Sequence, residues 1–274
     1  METRQFDTDY IDSELQKLSA VLKKDVKFFI TGGFVMAMLD LKVGTKDLDV
    51  VTRSEQDTHT QINALGDLGY CPLRTGAMEG AYRSLGAKIC QNADAFQWDI
   101  FTIRIADKLV LSSGMIERSE LYFGEGRLKA YVLSKEDVFL LKSVTDRDRD
   151  LEDMALLARS GIDYEAVLKE CEKQTETTER PWEPTLLGKI EDLEAQYNIR
   201  VPFKNRLIDS ADESLLFYYI KSQTKDGPIP IDKIVSYLVK QDVEKSYIMS
   251  AIESLEHKKR IKRLGNNLVS SVHE

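Results

Sequence analysis

Two adjacent glycines, Gly32 and Gly33, stand between an apolar run, Val26 to Ile30, and a helical run, Phe34 to Asp40. That order constrains the fold more than any other feature of the chain, because it reads as a buried strand, a tight turn and a helix. Without Cβ atoms, the glycines let backbone N–H groups approach a ligand closely. The helix start behind them favours an anion such as phosphate. Asp47-Leu48-Asp49 follows, running into Val50 and Val51. Residues two apart on a strand share a face, so Asp47 and Asp49 would point one way and Leu48 and Val50 the other. Two neighbouring carboxylates repel unless a positive charge sits between them. Magnesium accepts carboxylate and phosphate oxygens together. A diglycine alone is most often just a turn, and Asp-x-Asp alone is most often a solvated strand face. Their order and distance carry the signal.

Ala95 to Ile105 is the most strand-like stretch that follows, with Phe96, Trp98, Ile100 and Ile103 as β-formers. Asp99 sits inside it. A carboxylate in an apolar strand is costly if buried without a partner. Either it lies on an edge and is solvated, or it stands beside Asp47 and Asp49 as a third acidic group.

Diglycine, Asp-x-Asp on the next strand and a carboxylate on a later strand together resemble the nucleotidyltransferase superfamily with the polymerase-β-type palm. The string Thr45-Lys46-Asp47-Leu48-Asp49 is most similar to its small prokaryotic members, the AbiEii-like toxin group among them. The family often has Ser or Ala where this chain has Phe34, and Arg where it has Val43. The resemblance implies an α+β fold, a mixed sheet flanked by helices. It also implies transfer of a nucleoside monophosphate from a nucleoside triphosphate, ATP among the candidates, to a hydroxyl on RNA, protein or a small molecule. Two Mg²⁺ ions would be held by Asp47, Asp49 and Asp99, with Asp99 also orienting or deprotonating the acceptor. Gly32, Gly33, Thr45 and Lys46 would seat the nucleotide.

Downstream, Ser134 with Asp137 starts a helix. The run to Asp153 then either continues as one helix or turns near Asp146 to Asp148. Its charges read as a solvated face on composition alone. The resemblance instead places Lys142, Arg149 and Asp150 at nucleotide-binding positions. Gln174 to Pro184, rich in Thr and Glu with Pro181 and Pro184, reads as an exposed linker, and Pro202 to Asp209 as a second joint. Ser210 with Glu213 looks like a helix cap, followed by helices at Ile231 to Val239 and around Ile248, Ile252 and Leu255. A hairpin about Gly265-Asn266-Asn267 closes the chain. This tail resembles a winged helix-turn-helix. Residues 209–274 carry ten basic and ten acidic residues. Lys258, Lys259, Arg260, Lys262 and Arg263 form a candidate phosphate-contact patch, and docking of a protein partner is an equal alternative. The divisions are then 1–132, a nucleotidyltransferase core; 133–205, a helical region; and 206–274, a winged-helix-like domain.

The net charge of −8 argues against a general nucleic-acid coat. No apolar run approaches the roughly 20 residues of a membrane span, and the polar N-terminus is no signal peptide. Three scattered cysteines make neither a zinc site nor a disulfide framework. These features point to the cytoplasm. A competing expectation is a palm that no longer catalyses and acts as a DNA-binding or partner-binding regulator, or as half of a toxin–antitoxin pair.

Overall fold

The computed structural model describes residues 4–73, 86–145, 147, 149–241, 243–265 and 267–272. Gly76, Gly80, Asp146, Asp148 and Asn266 lie outside that set.

The chain forms two compact units, Met1–Glu170 with Asp192–Ile199, and Cys171–Glu191 with Arg200–Glu274. The first is built on a seven-stranded mixed sheet: β1 (Val26–Thr31), β2 (Asp47–Thr52), β3 (Cys71–Pro72), β4 (Lys88–Gln91), β5 (Gln97–Thr102), β8 (Glu120–Glu125) and β9 (Leu128–Val132). The strand order is β3-β4-β5-β2-β1-β9-β8. Between β5 and β8, β6 (Arg104–Ile105) and β7 (Leu109–Val110) make a separate two-stranded ribbon. Helices α1 (Thr8–Val21), α2 (Gly33–Met38), α3 (Glu55–Asp67), α4 (Ser113–Arg118), α5 (Lys135–Ser143) and α6 (Asp150–Arg159) complete most of this unit. Phe28, Phe29, Ile30, Leu48, Val50, Trp98 and Ile100 are fully buried. Each such side chain contributes about 1.5–3 kcal/mol relative to exposure.

Local signals place these elements well. Ile11, Leu15 and Leu18 are buried on α1, which Asp7 caps by accepting from the Tyr10 N–H. Ser54 and Ser134 cap α3 and α5, accepting from the N–H of Asp57 and Asp137. The buried stripe of α3 is partly polar. Thr58, Gln61, Ala64 and Leu65 face inward, whereas Ile62 and Leu68 are only partly covered. Between α5 and α6 the helix breaks, so Lys142 and Asp150 lie on two helices rather than one.

Three expectations fail. Gln174 to Pro184 is no exposed linker. Helix α7 (Tyr164–Thr178) runs into it, α8 (Glu183–Tyr197) starts within it, and Gln174, Thr175 and Trp182 are buried. The Trp182 N–H and indole N–H donate to Thr175 and Thr178 hydroxyls, so residues that read as polar linker close a tight helical corner. Nor is Pro202 to Asp209 a joint. Helix α9 (Lys204–Gln223) covers most of it, and Ser210 and Glu213 lie inside that helix rather than at its cap. Ser210 instead donates to Glu172, and Glu213 accepts from Ser254. Finally, residues 133–205 do not stand apart, because the division between units falls within α7 and α8.

The second unit ends with α9, β10 (Ile229–Pro230), α10 (Ile231–Val239), α11 (Lys245–His257), β11 (Ile261–Leu264) and β12 (Leu268–Ser271). The expected closing hairpin gains a third strand, in the order β10-β12-β11. Phe217, Ile220, Ile234, Ile248, Ile252 and Leu255 are part of its core. No helix among the described residues is long and apolar enough to cross a membrane.

Candidate active site

The site forms where β1, β2 and β5 lie side by side. Antiparallel pairing sets Thr31 opposite Asp49, and parallel pairing sets Asp49 opposite Asp99 and Asp47 opposite Gln97. Residues in register on neighbouring strands share a face, and so do residues two apart on one strand. Asp47, Asp49 and Asp99 therefore stand on one side of the sheet. The edge-strand alternative for Asp99 does not hold, because β5 is interior, paired with β4 on its other side, and Asp99 is 1% exposed.

The diglycine is required by what lies against it. Gly32 has φ +70°, a conformation that costs other residues strain, and a Cβ there would overlap Oδ2 of Asp49. A Cβ on Gly33 would come within 2.8 Å of Thr45 Oγ1. Thr45 is buried and donates to the Asp47 carbonyl at 2.8 Å, so it braces the loop that delivers β2. Phe34 is buried, its ring edge-on to Tyr122 at 5.2 Å. Helix α2 has six residues, so the electrostatic pull of its start is small.

Burial raises the Asp47 carboxyl pKa, opposed by Arg147, Lys142 and Lys46. Burial, then the charge of Asp47, pushes Asp49 up to about 7 against the pull of Arg147 and Lys142. Asp99 is raised well above the carboxylate range by burial, Asp49 and Asp47. Its Oδ1 and the hydroxyl of buried Thr31 have no hydrogen-bond partner among the described residues. Other buried carboxylates are treated differently. Glu14 accepts from Tyr70 at 2.5 Å and Lys17 at 2.7 Å. Asp137 pairs with Arg118 at 2.5 Å. One acidic oxygen without a partner is thus a feature of this site, one that a cation would relieve.

A cleft of about 50 Å³ opens beside Asp49, lined by Thr31, Gly32, Lys142, Thr145, Arg147 and Asp150, with Phe101, Ile105, Val138 and Leu141 as its apolar wall. Lys142 Nζ lies 3.0 Å from Asp150 and 2.8 Å from Asp153. Burial pulls the Lys142 pKa down, but these two carboxylates outweigh it and the net shift is upward. Lys42 reaches Asp153 at 2.6 Å, and Thr145 donates to Asp150 at 2.6 Å.

Of the residues singled out in the sequence, Gly32, Asp49, Lys142 and Asp150 line the cleft, with Asp47 and Asp99 beside Asp49 on the sheet. Lys46 and Arg149 are exposed, and Arg149 is the residue preceding α6. Arg147, two residues earlier, lines the cleft instead and acts electrostatically on all three aspartates. Its signal was the charged run 147–153, which cannot be phased until the helix break is known. Among the described residues, no group of three or more His, Cys, Asp or Glu side chains is arranged to hold a metal ion unaided. The donor set still suits magnesium, which commonly takes one or two carboxylates and completes its shell with water and substrate phosphates.

The basic patch of the tail is largely committed within its own unit. Lys258 pairs with Glu213, Arg260 lies 3.9 Å from Glu176 and 4.0 Å over the Phe217 ring, and Arg263 lies 2.9 Å from Glu256. Lys259 and Lys262 are exposed.

No protein-family model matches the chain, and no curated protein matches it. Among solved structures it is similar to one described as "putative nucleotidyltransferase from H. pylori", at TM-score 0.34 and 14% identity, covering 77% of this chain and 95% of that one. At that score the likeness carries no argument for fold detail or activity.

Proposed function

We propose that the chain is a metal-dependent nucleotidyltransferase that moves a nucleoside monophosphate from a nucleoside triphosphate to an acceptor hydroxyl and releases pyrophosphate. The observation that carries this reading is Asp49, seated against Gly32 with Asp99 beside it in register and one Asp99 oxygen unpaired. Asp47 and Asp49 would hold Mg²⁺ together with phosphate oxygens, and the metal supplies charge neutralisation at the attacking and leaving oxygens. The backbone at Gly32 and Gly33 would lie along the triphosphate. Asp99 would accept the acceptor hydroxyl proton, a task suited to a carboxyl held above its ordinary pKa. Arg147, and Lys142 once drawn from its carboxylates, would meet phosphate charge. In the same reading the tail is a winged helix and the protein belongs with toxin-like members of its class. Labelled nucleotide should pass to an acceptor in the presence of Mg²⁺, with ATP the first donor to try, and Asp49→Asn should abolish it. Calorimetry showing no Mg²⁺-dependent triphosphate binding to the wild type would overturn the reading.

One observation favours a second reading, a palm that has lost catalysis and serves a regulatory tail. The cleft beside Asp49 offers only about 50 Å³. Tight triphosphate binding without turnover on any acceptor class would favour it.

A further inference from the structure

The C-terminal unit has an open groove of about 640 Å³ between α9, α10 and α11. Leu215, Leu216, Tyr219, Leu238, Tyr247 and Ile248 give it an apolar floor and walls. Several large side chains at or beside the groove face solvent: Leu215 is 49% exposed, Tyr237 48% and Tyr247 36%. Tyr237 stacks on Tyr219 with ring centres 5.0 Å apart, extending the aromatic wall outward. Contiguous exposed apolar surface of this kind marks an interaction site, and a groove between helices fits an amphipathic helix laid along it.

Charge selects the occupant. Asp212 and Glu244 are the charged residues at the groove, and no Lys or Arg is among the described residues that line it. The Tyr247 hydroxyl donates to Asp212 at 2.9 Å. Burial first, then the hydrogen bond to Asp212 and the charges of Asp212, Asp209 and Glu213, raise the Tyr247 pKa. Nucleic acid and anionic lipid carry the wrong sign for such a rim. A second copy docked by a two-fold axis would set acidic rim against acidic rim. We propose that this groove docks an amphipathic helix of a partner protein whose apolar face is flanked by lysine or arginine.

Two synthetic peptides test this on the full chain by fluorescence anisotropy at physiological salt. Both place leucines at i, i+3, i+4 and i+7; one carries flanking lysines and the other glutamates. The lysine peptide should bind at least about tenfold more tightly than the glutamate peptide. Leu215→Ser, at a half-exposed position that leaves folding intact, should weaken it by about tenfold or more. Glu244→Lys, on the surface, should shrink or reverse the preference between peptides. No binding, equal binding of the two peptides, or affinity indifferent to Leu215→Ser would overturn the proposal. So would a concentration-dependent dimer in sedimentation that Leu215→Ser abolishes, which would assign the groove to a second copy. None of these outcomes depends on nucleotide transfer.

Discussion

At the centre of the sheet, Asp47, Asp49 and Asp99 crowd one face, and one carboxylate oxygen of Asp99 is buried without a partner. In the C-terminal unit, Lys258, Arg260 and Arg263 each have a glutamate partner, and the surface left open is apolar. The first region holds charge that its own fold does not neutralise. The second pairs three of its clustered basic residues with glutamates and leaves hydrophobic area uncovered. Each imbalance names the kind of ligand that would correct it, a cation with phosphates in one case and an apolar helix in the other. The contrast also separates groups that look alike in sequence. Lys142 and Lys258 both read as phosphate contacts, yet both are held in ion pairs, one nearly buried and one exposed.

The sharpest way to break this comparison is Lys142→Ala. It would leave Asp150, nearly inaccessible, without its lysine, while Asp153 would keep only Lys42. We expect a loss of about 3–5 kcal/mol in urea unfolding; a loss near 1 kcal/mol would mean that Lys142 is free to serve phosphate at no structural cost. Asp49→Asn should reduce transfer by more than about 100-fold, roughly 3 kcal/mol of transition-state stabilisation, measured with labelled nucleotide. Gly32→Ala should destabilise by about 1–3 kcal/mol through backbone strain and overlap with Asp49. Gly161→Ala is its control, because Gly161 has a similar φ of +75° and nothing within 4 Å of the added carbon. Equal costs at the two positions would remove the argument that Gly32 exists to admit the carboxylate.

The raised carboxyls give a pH test. Asp49 titrates near 7 in the folded chain and near about 4 unfolded. Its contribution to stability is therefore full below the unfolded value and lost as pH rises through the folded one. In the absence of divalent metal, Asp49→Asn should melt above the wild type at pH 8, and the gap should narrow at pH 5. Calorimetric melting that shows the same gap at both pH values would indicate that Asp49 is not held up by burial and Asp47. The smallest effect is expected at Lys258→Glu. Breaking a largely exposed pair should cost no more than about 1 kcal/mol, and retention of DNA in a gel should not change. Loss of retention would restore the basic patch as a nucleic-acid surface.

Local signals carried much of the chain. Caps at Ser54 and Ser134, the stop at Gly69 and the stripe of α1 depend on groups within a few residues of one another, so the sequence alone specifies them. The spacing from Gly32 to Asp49 likewise spans the turn, the short helix α2 and the loop into β2 that bring carboxylate and glycine together. Only tertiary structure could put Asp99 on an interior strand beside Asp49, because strand order depends on which elements meet in space. The same holds for Gln174 to Pro184, polar in composition yet enclosed by neighbouring helices, and for Ser210 with Glu213, whose cap-like spacing fell inside a longer helix. Arg147 rather than Arg149 reaches the cleft because the break between α5 and α6 sets the direction of that run. Periodicity and capping are written within a few residues; burial, pairing and charge compensation belong to residues that only folding makes neighbours.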